Sequence, residues 1–169
     1  MHMLNANHLT ALSVLLSDAL EASLGDLSPS AAALLSTLQH FDGSTVSELA
    51  AVAGVSQPTA TRVLDGLVRQ GLIRRETKTG RQTPLRLTGT GRARASRLTA
   101  ARAEAMQRLL DMLPTEQRRS FIDAAETLLA KATTSRAFAR TTCRHCNHGL
   151  CNGPACPVGT RASELEPAR

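Results

Sequence analysis

Thr45–Arg75 reads TVSELAAVAGVSQPTATRVLDGLVRQGLIRR: two short helical patterns joined by a glycine-containing turn, then at once a strand. In the first pattern Val46, Leu49, Ala50 and Ala53 recur at the spacing of one buried helical face. Gly54 supplies a turn where a side chain would cost free energy, and Val55 plugs the corner. Ser56 is set to cap the next helix, and Pro58 sits in its first turn, where a missing N–H does no harm. Ala60, Val63, Leu64, Leu67 and Val68 form the apolar stripe of that second helix. Ser56, Gln57, Thr59, Thr61 and Arg62 are left outside, a small, hydrogen-bonding and partly basic face. A helix entering the major groove needs this combination, because bulk would hold it off the bases and only donors and acceptors read their edges. The spacing predicts a helix-turn-helix that binds double-stranded DNA.

The sequel extends the motif. Gly71 closes the second helix, Leu72–Glu76 (LIRRE) reads as a strand, and Pro84–Leu87 (PLRL) as its return. Between them Thr77–Thr83 (TKTGRQT) is a polar, glycine-containing hairpin loop carrying Lys78 and Arg81. The expected fold is mainly α, a winged helix-turn-helix with a two-stranded wing.

Charge is distributed to match. The chain of 169 residues carries a formal net charge of +6. Between Ser56 and Ala105 eleven cations face three acids, a local excess of eight, whereas the first 55 residues contain no Lys or Arg. A basic block in the hairpin and second helix is the footprint of a polyanion binder. With three Phe and no Trp or Tyr, base stacking on single strands is disfavoured. No apolar run reaches the length of a membrane span and no basic segment precedes the first apolar one, so no membrane contact and a cytoplasmic location are expected. No Ser/His/Asp set, phosphate loop or paired carboxylates stands where catalysis would need it, so the chain reads as a non-enzyme.

Around this core the pattern predicts helices over Asn7–Leu24, Ser28–His40, Thr88–Leu113 and Thr115–Arg140. The last carries Phe121, Ile122, Ala125, Leu128 and Leu129 on one face. These stripes exceed what a small winged domain can bury, so a second copy is the expected cover, and a two-fold homodimer also suits two-fold DNA sites. Residues 1–44 and 92–140 are read as dimerisation and scaffold helices, 45–91 as the DNA-binding core and 141–169 as a cysteine-rich tail.

The order of elements, with LAAVAGVSQPTATRVLDGLVRQGLIRR followed by LRLTGTGR, resembles the MarR family of winged-helix regulators over roughly residues 7–140. The resemblance implies transcriptional control, usually repression, by a homodimer on an inverted repeat. It implies base contacts near the start of the second helix, at Ser56, Gln57, Thr59, Thr61 and Arg62. It also implies a small-molecule effector pocket between the dimerisation helices and the winged domain. The family's wing generally pairs an Asp with its minor-groove Arg. Here Arg81 has no acid in its loop, and Lys78 is assigned to phosphate, which fixes position rather than sequence.

All four cysteines lie in the tail as C-x2-C-x4-C-x4-C-P: Cys143, Cys146, Cys151 and Cys156. A segment so short and so rich in Gly and Pro is not expected to bury a core of its own. Four thiolates on a compact loop can instead surround one soft cation, and ligation offsets the cost of holding several anions together. Zinc bound by four cysteines is the first expectation. An iron–sulfur cluster is the alternative, since Pro after the last cysteine resembles ferredoxin-type ligation, and metal-free redox thiols are the third reading. His145 and His148, between the ligand positions, could each replace a cysteine on zinc, but with four thiols available they are expected to stay solvated. Metal or redox input is favoured over aromatic-acid sensing, and no thiol sensor can sit within the dimerisation helices, which lack cysteine. The competing functions are an architectural DNA-binding protein without a signal and a protein–protein adaptor using the metal knob.

Overall fold

The chain's structure, a computed structural model, describes residues 2–78 and 83–166. It begins with α1 (His2–Ala22) and α2 (Pro29–His40), then α3 (Val46–Ala53) and α4 (Gln57–Arg69). A hairpin of β1 (Ile73–Arg75) and β2 (Leu85–Leu87) leads into α5 (Gly89–Asp111), α6 (Thr115–Ala132), α7 (Arg136–Thr142), one 3-10 turn and α8 (Pro157–Leu165).

Each helix start in the core is set by a side chain. Ser28, Thr45, Ser56 and Thr88 accept backbone N–H groups at the entries of α2, α3, α4 and α5, satisfying donors that the helix leaves open. At α3 the cap is reciprocal: the Glu48 carboxylate takes the Thr45 N–H at 2.8 Å while Thr45 Oγ1 takes the Glu48 N–H. Gly54 ends α3 at φ +67° and Gly71 follows α4 at φ +68°, left-handed positions that tolerate glycine without penalty. Leu34, Leu35 and Leu38 of α2 meet Leu49, Leu64, Leu67, Ile73 and Leu85 in a single buried cluster.

The strands pair antiparallel, Ile73 opposite Leu87 and Arg75 opposite Leu85. Arg74 faces Arg86 directly, a repulsive register. It is relieved by Glu76, which meets Arg74 at 2.9 Å and Arg86 at 3.7 Å, and by Asp42, which pairs with Arg86. The linker before α3 also joins the sheet edge: Gly43 N–H donates to Leu85 O and Leu85 N–H to Ser44 O, each at 3.0 Å.

Three expectations need correction. The first helix begins a turn and more earlier than Asn7, because HMLNA contains nothing that stops a helix. The expected helix Thr115–Arg140 is two. Thr133 N–H bonds back to Ala130 O, and Ser135 Oγ caps a new start by accepting the Phe138 N–H at 3.0 Å. The sequence TTS thus acts as stop and restart. The tail, finally, does bury a small core. Ala139 and Cys143 at the end of α7 pack with Cys156, Val158 and Ala162 of α8, and Cys146 and Cys151 lie against them. Arg136 Nη2 fastens the end of α8 by donating to Glu166 O at 2.6 Å.

Neither α1 nor α6 has a buried residue. Leu9 is 65% exposed and Leu128 68%, while most other residues of the two stripes are half-buried, so the stripes expected to be covered by a second copy are only partly covered within one chain. No helix among the described residues is long and apolar enough to cross a membrane.

Candidate nucleic-acid interface and cysteine cluster

At the start of α4, Ser56, Gln57 and Arg62 are exposed while Thr59 and Thr61 are half-buried. The hydroxyls have local duties. Ser56 Oγ and Thr59 Oγ1 lie 2.9 Å apart, and Thr61 Oγ1 donates to Gln57 O at 3.0 Å. These three therefore shape the first turn, keeping lone pairs for outside donors, and the amide of Gln57 and guanidinium of Arg62 are the long groups of this face. Asp65 pairs with Arg75 at 2.7 Å, which holds α4 against the wing. Lys78 is exposed at the near side of the hairpin loop; Arg81 lies outside the described residues.

The basic block is weaker at the surface than its residue count. Arg74, Arg75, Arg86 and Arg94 are paired with Glu76, Asp65, Asp42 and Asp26, and Arg102 is buried at 5% exposure. Arg62, Arg69, Lys78, Arg92 and Arg97 remain exposed. The acidic N-terminal segment thus neutralises part of the block through Asp26 and Asp42, a tertiary effect that counting along the chain misses.

The four cysteines come together as free thiols. Cys143 and Cys156 are buried, and Cys146 and Cys151 lie partly buried against them. The Cys146 thiol is held at about 7, chiefly by the hydrogen bond from Cys143 and also by the positive charge of Arg102, working against burial. Cys143 is pushed up because it donates to Cys146, and Cys151 is raised to about 11, first by burial. Cys146 therefore carries negative charge more readily than Cys143 or Cys151. Cys156 Sγ accepts the Gly159 N–H at 3.1 Å and caps α8. Among the described residues no group of three or more His, Cys, Asp or Glu side chains stands ready-made as a metal cage; ligation requires this chain of sulfurs to converge.

The two histidines are not solvated as expected. His145 Nδ1 lies 2.9 Å from Arg102 Nη1. A guanidinium can only donate, so Nδ1 accepts and the ring is neutral; burial, then Arg102, holds His145 at about 4. His148 packs edge-on against His40 and Phe41, ring centroids 5.3 Å away in both cases. Residues Thr37, Phe41, Ser44, Glu48, Val52, Arg140 and His148 enclose a cavity of about 130 Å³ beside α3. The tail is thus seated on the back of the helix-turn-helix, where Thr141 Oγ1 also donates to Ala51 O at 3.4 Å. Nothing in the cysteine spacing signals that seat, or the role of Arg102 and His148 in it.

A family model described as MarR family matches residues 25–82. Among solved structures, the MarR family protein Rv2887 of Mycobacterium tuberculosis, crystallised with salicylic acid, is 31% identical; the match covers 71% of this chain and 92% of that one, at a TM-score of 0.57. The same protein in complex with DNA matches at 28% identity and a TM-score of 0.60, covering 73% and 95% of the two chains. YusO of Bacillus subtilis matches at 26% identity and a TM-score of 0.64, covering 78% of this chain and 98% of that one. No curated protein matches the chain.

Proposed function

The chain belongs to the MarR family of DNA-binding transcription regulators, and from that premise we propose that it is a homodimeric repressor of an inverted-repeat operator, carrying a four-cysteine metal site in its tail. The observation that carries the DNA half is the capped N-terminal turn of α4, with Ser56, Gln57 and Arg62 exposed together. Its supports are the exposed cations around it and the DNA complex of the Rv2887 relative. The α4 helix of each protomer reads one half-site, Thr59 and Thr61 complete the contact face, and Lys78 and Arg81 of the wing meet the flanking backbone and minor groove. The incompletely covered stripes of α1 and α6, with Leu9 and Leu128 exposed, support the dimer.

For the tail, the donor set favours zinc. Four thiols at the end of α7, in the turns after it and at the cap of α8, one already low in pKa and one receiving a backbone N–H, have the chemistry of a closed structural site. Zinc would be held by Cys143, Cys146, Cys151 and Cys156, and would supply a cross-link between α7 and α8. An iron–sulfur cluster on the same thiolates is the alternative cofactor. A small-molecule effector is the second input we consider. The cavity bounded by Phe41, His148 and Arg140 offers ring faces and a guanidinium to a small organic anion, the chemistry of the salicylic acid crystallised with the relative.

Selection of binding sites from random duplexes by the full-length protein tests the first half. A two-fold symmetric site is expected; enrichment of no sequence at all would sink the repressor reading. Protein purified without oxygen tests the second. Colourless protein with one equivalent of zinc supports the structural site, brown protein with visible absorption bands the cluster, and protein with neither metal refutes both.

A further inference from the structure

The cavity of about 130 Å³ beside α3 has walls from two distant parts of the chain. Thr37, Phe41 and Ser44 come from α2 and the linker after it, Glu48 from α3, and Arg140 and His148 from α7 and the tail loop. None of its described lining residues belongs to α1, α5 or α6, so it is not the pocket between dimerisation helices and winged domain that the resemblance implies. Its polar groups are sorted by side. The Thr37 hydroxyl, on a residue 5% exposed, donates to Ala33 O at 2.8 Å, and the Ser44 hydroxyl donates to Phe41 O at 2.7 Å. Each is left with lone pairs alone. Glu48 Oε2 takes the Thr45 N–H at 2.8 Å and the Thr45 hydroxyl at 2.9 Å, while Oε1 accepts from none of the described residues. On the tail side, the Arg140 guanidinium makes no hydrogen bond or ion pair with a described residue. The α2–α3 side therefore presents acceptors, and the tail side a free cation.

We propose that this cavity binds a single-ring carboxylic acid carrying an N–H or O–H donor at its far end. The carboxylate meets Arg140, the donor meets Thr37, Ser44 and Glu48, and the ring lies against Phe41 and His148. The inference rests on the effector reading above and deepens it. Size sets the single ring: an apolar cavity of about 150 Å³ holds one benzene, so this one admits one six-membered ring and not two. Charge sets the two ends. A plain anion would satisfy Arg140 but would turn its other end towards three acceptors, one of them a carboxylate. A donor at that end satisfies lone pairs that would otherwise lose water without a partner. Because the two sides belong to the helix-turn-helix and to the tail, the occupant also joins them. It adds to a seat in which the Thr141 hydroxyl donates to Ala51 O at 3.4 Å and the Thr141 methyl lies 3.6 Å from where a Cβ on Gly54 would be. Occupation thus holds α7 on the back of α3.

The test is calorimetric titration of full-length protein with 4-aminobenzoate, and with benzoate and aniline, which each keep one end. 4-Aminobenzoate is expected to bind at least about tenfold more tightly than either, the factor that one hydrogen bond to a charged group carries. Arg140→Gln should erase its advantage over aniline, and Arg140→Lys should keep most of it. Val52→Phe, which fills the cavity from α3, should abolish binding of all three. If that variant does not fold, Arg140→Gln decides, since Arg140 is exposed. Amide exchange in α7 should slow when 4-aminobenzoate is added. Benzoate bound as tightly as 4-aminobenzoate overturns the donor end, and no binding of 4-aminobenzoate overturns the inference. Binding that Arg140→Gln and Val52→Phe leave unchanged refutes this site. A gel shift on the selected operator separates the effector reading. Binding here with no change in DNA affinity overturns that reading and leaves the site standing. A change in DNA affinity that persists in Val52→Phe upholds the reading and refutes the site.

Discussion

The carbonyl oxygen of Leu72 occupies the space where a side chain on Gly91 would begin: a Cβ built at Gly91 falls 1.8 Å from that oxygen. The same oxygen accepts the Thr88 N–H at 3.0 Å and the Thr88 hydroxyl at 3.2 Å. The first turn of α5 is thus seated on the entry to β1, and the Thr88 hydroxyl also donates to Gly71 O at 2.7 Å. Because the obstacle is backbone, it cannot rotate away. Gly91→Ala should cost at least about 3 kcal/mol, the upper end for overpacking. Gly89→Ala, where a Cβ meets nothing within 4 Å, should be neutral or gain up to about 1 kcal/mol. Urea unfolding of the two variants measures the difference; equal stabilities would show that the wing is not seated this way.

That pair also marks where sequence reading ends. LTGTGR announces a helix start, since Thr88 is a good cap and glycines sit behind it, but the reason for glycine at position 91 lies 19 residues away at Leu72. The helix-turn-helix, its caps and its apolar stripe were legible because each is a local rule applied at helical spacing. The break at Thr133–Ser135 was not, because Thr and Ser are tolerated within helices and only the Ser135 cap decides for a restart. Arg102 reads in the sequence as one more cation of the basic block for the same cause: its neighbours Ser36 and His145 are distant in the chain, and nothing local says that it faces inward. The cysteines were legible as a cluster, whereas the small core around them, made by Ala139, Val158 and Ala162, was not.

Arg62 and Lys78 should separate reading from holding. Both are exposed, but one belongs to α4 and the other to the wing. Arg62→Ala should cost about 1–3 kcal/mol of specific binding and relax preference at one position of each half-site. Lys78→Ala should weaken all sequences alike and lower the slope of log K against log salt by about 1 per contact. Titrations against the selected site and a scrambled duplex at several salt concentrations distinguish the two. An Arg62→Ala protein with undiminished site preference would mean that α4 does not read bases.

The cap of α3 gives the protein an acid-side sensitivity. Backbone and hydroxyl bonds from Thr45 hold the Glu48 carboxyl below its ordinary value of 4.5. The folded chain therefore binds this proton less readily than the unfolded one. The stabilisation is complete above about pH 4.5 and is lost as pH falls through the folded value. Glu48 is exposed, so the effect is small and salt weakens it. Glu48→Gln keeps the reciprocal cap and removes the titration. Wild type minus Glu48→Gln stability should thus shrink between about pH 5 and pH 3, while Thr45→Ala should cost about 1 kcal/mol at neutral pH. A pH-independent difference between wild type and Glu48→Gln would exclude the cap as its source.

The helices α1 and α6 carry the prediction that bears on the whole assembly. Leu4 and Leu9 of α1 are 58% and 65% exposed, and Leu128 of α6 is 68% exposed. Apolar side chains repeated along two helices at this exposure form a patch that a soluble chain normally covers. A two-fold interface is self-complementary, so a charge placed in it occurs twice and meets its own copy or bare hydrocarbon. Leu9→Glu combined with Leu128→Glu should convert the protein to a monomer in sedimentation velocity at micromolar concentration. The core cluster of α2, α3 and α4 contains neither residue, so the fold should survive, as circular dichroism can check. The monomer should bind a full operator with the affinity of one half-site, losing the gain that linked sites provide. A double variant that sediments as wild type would move the dimer interface elsewhere on the chain.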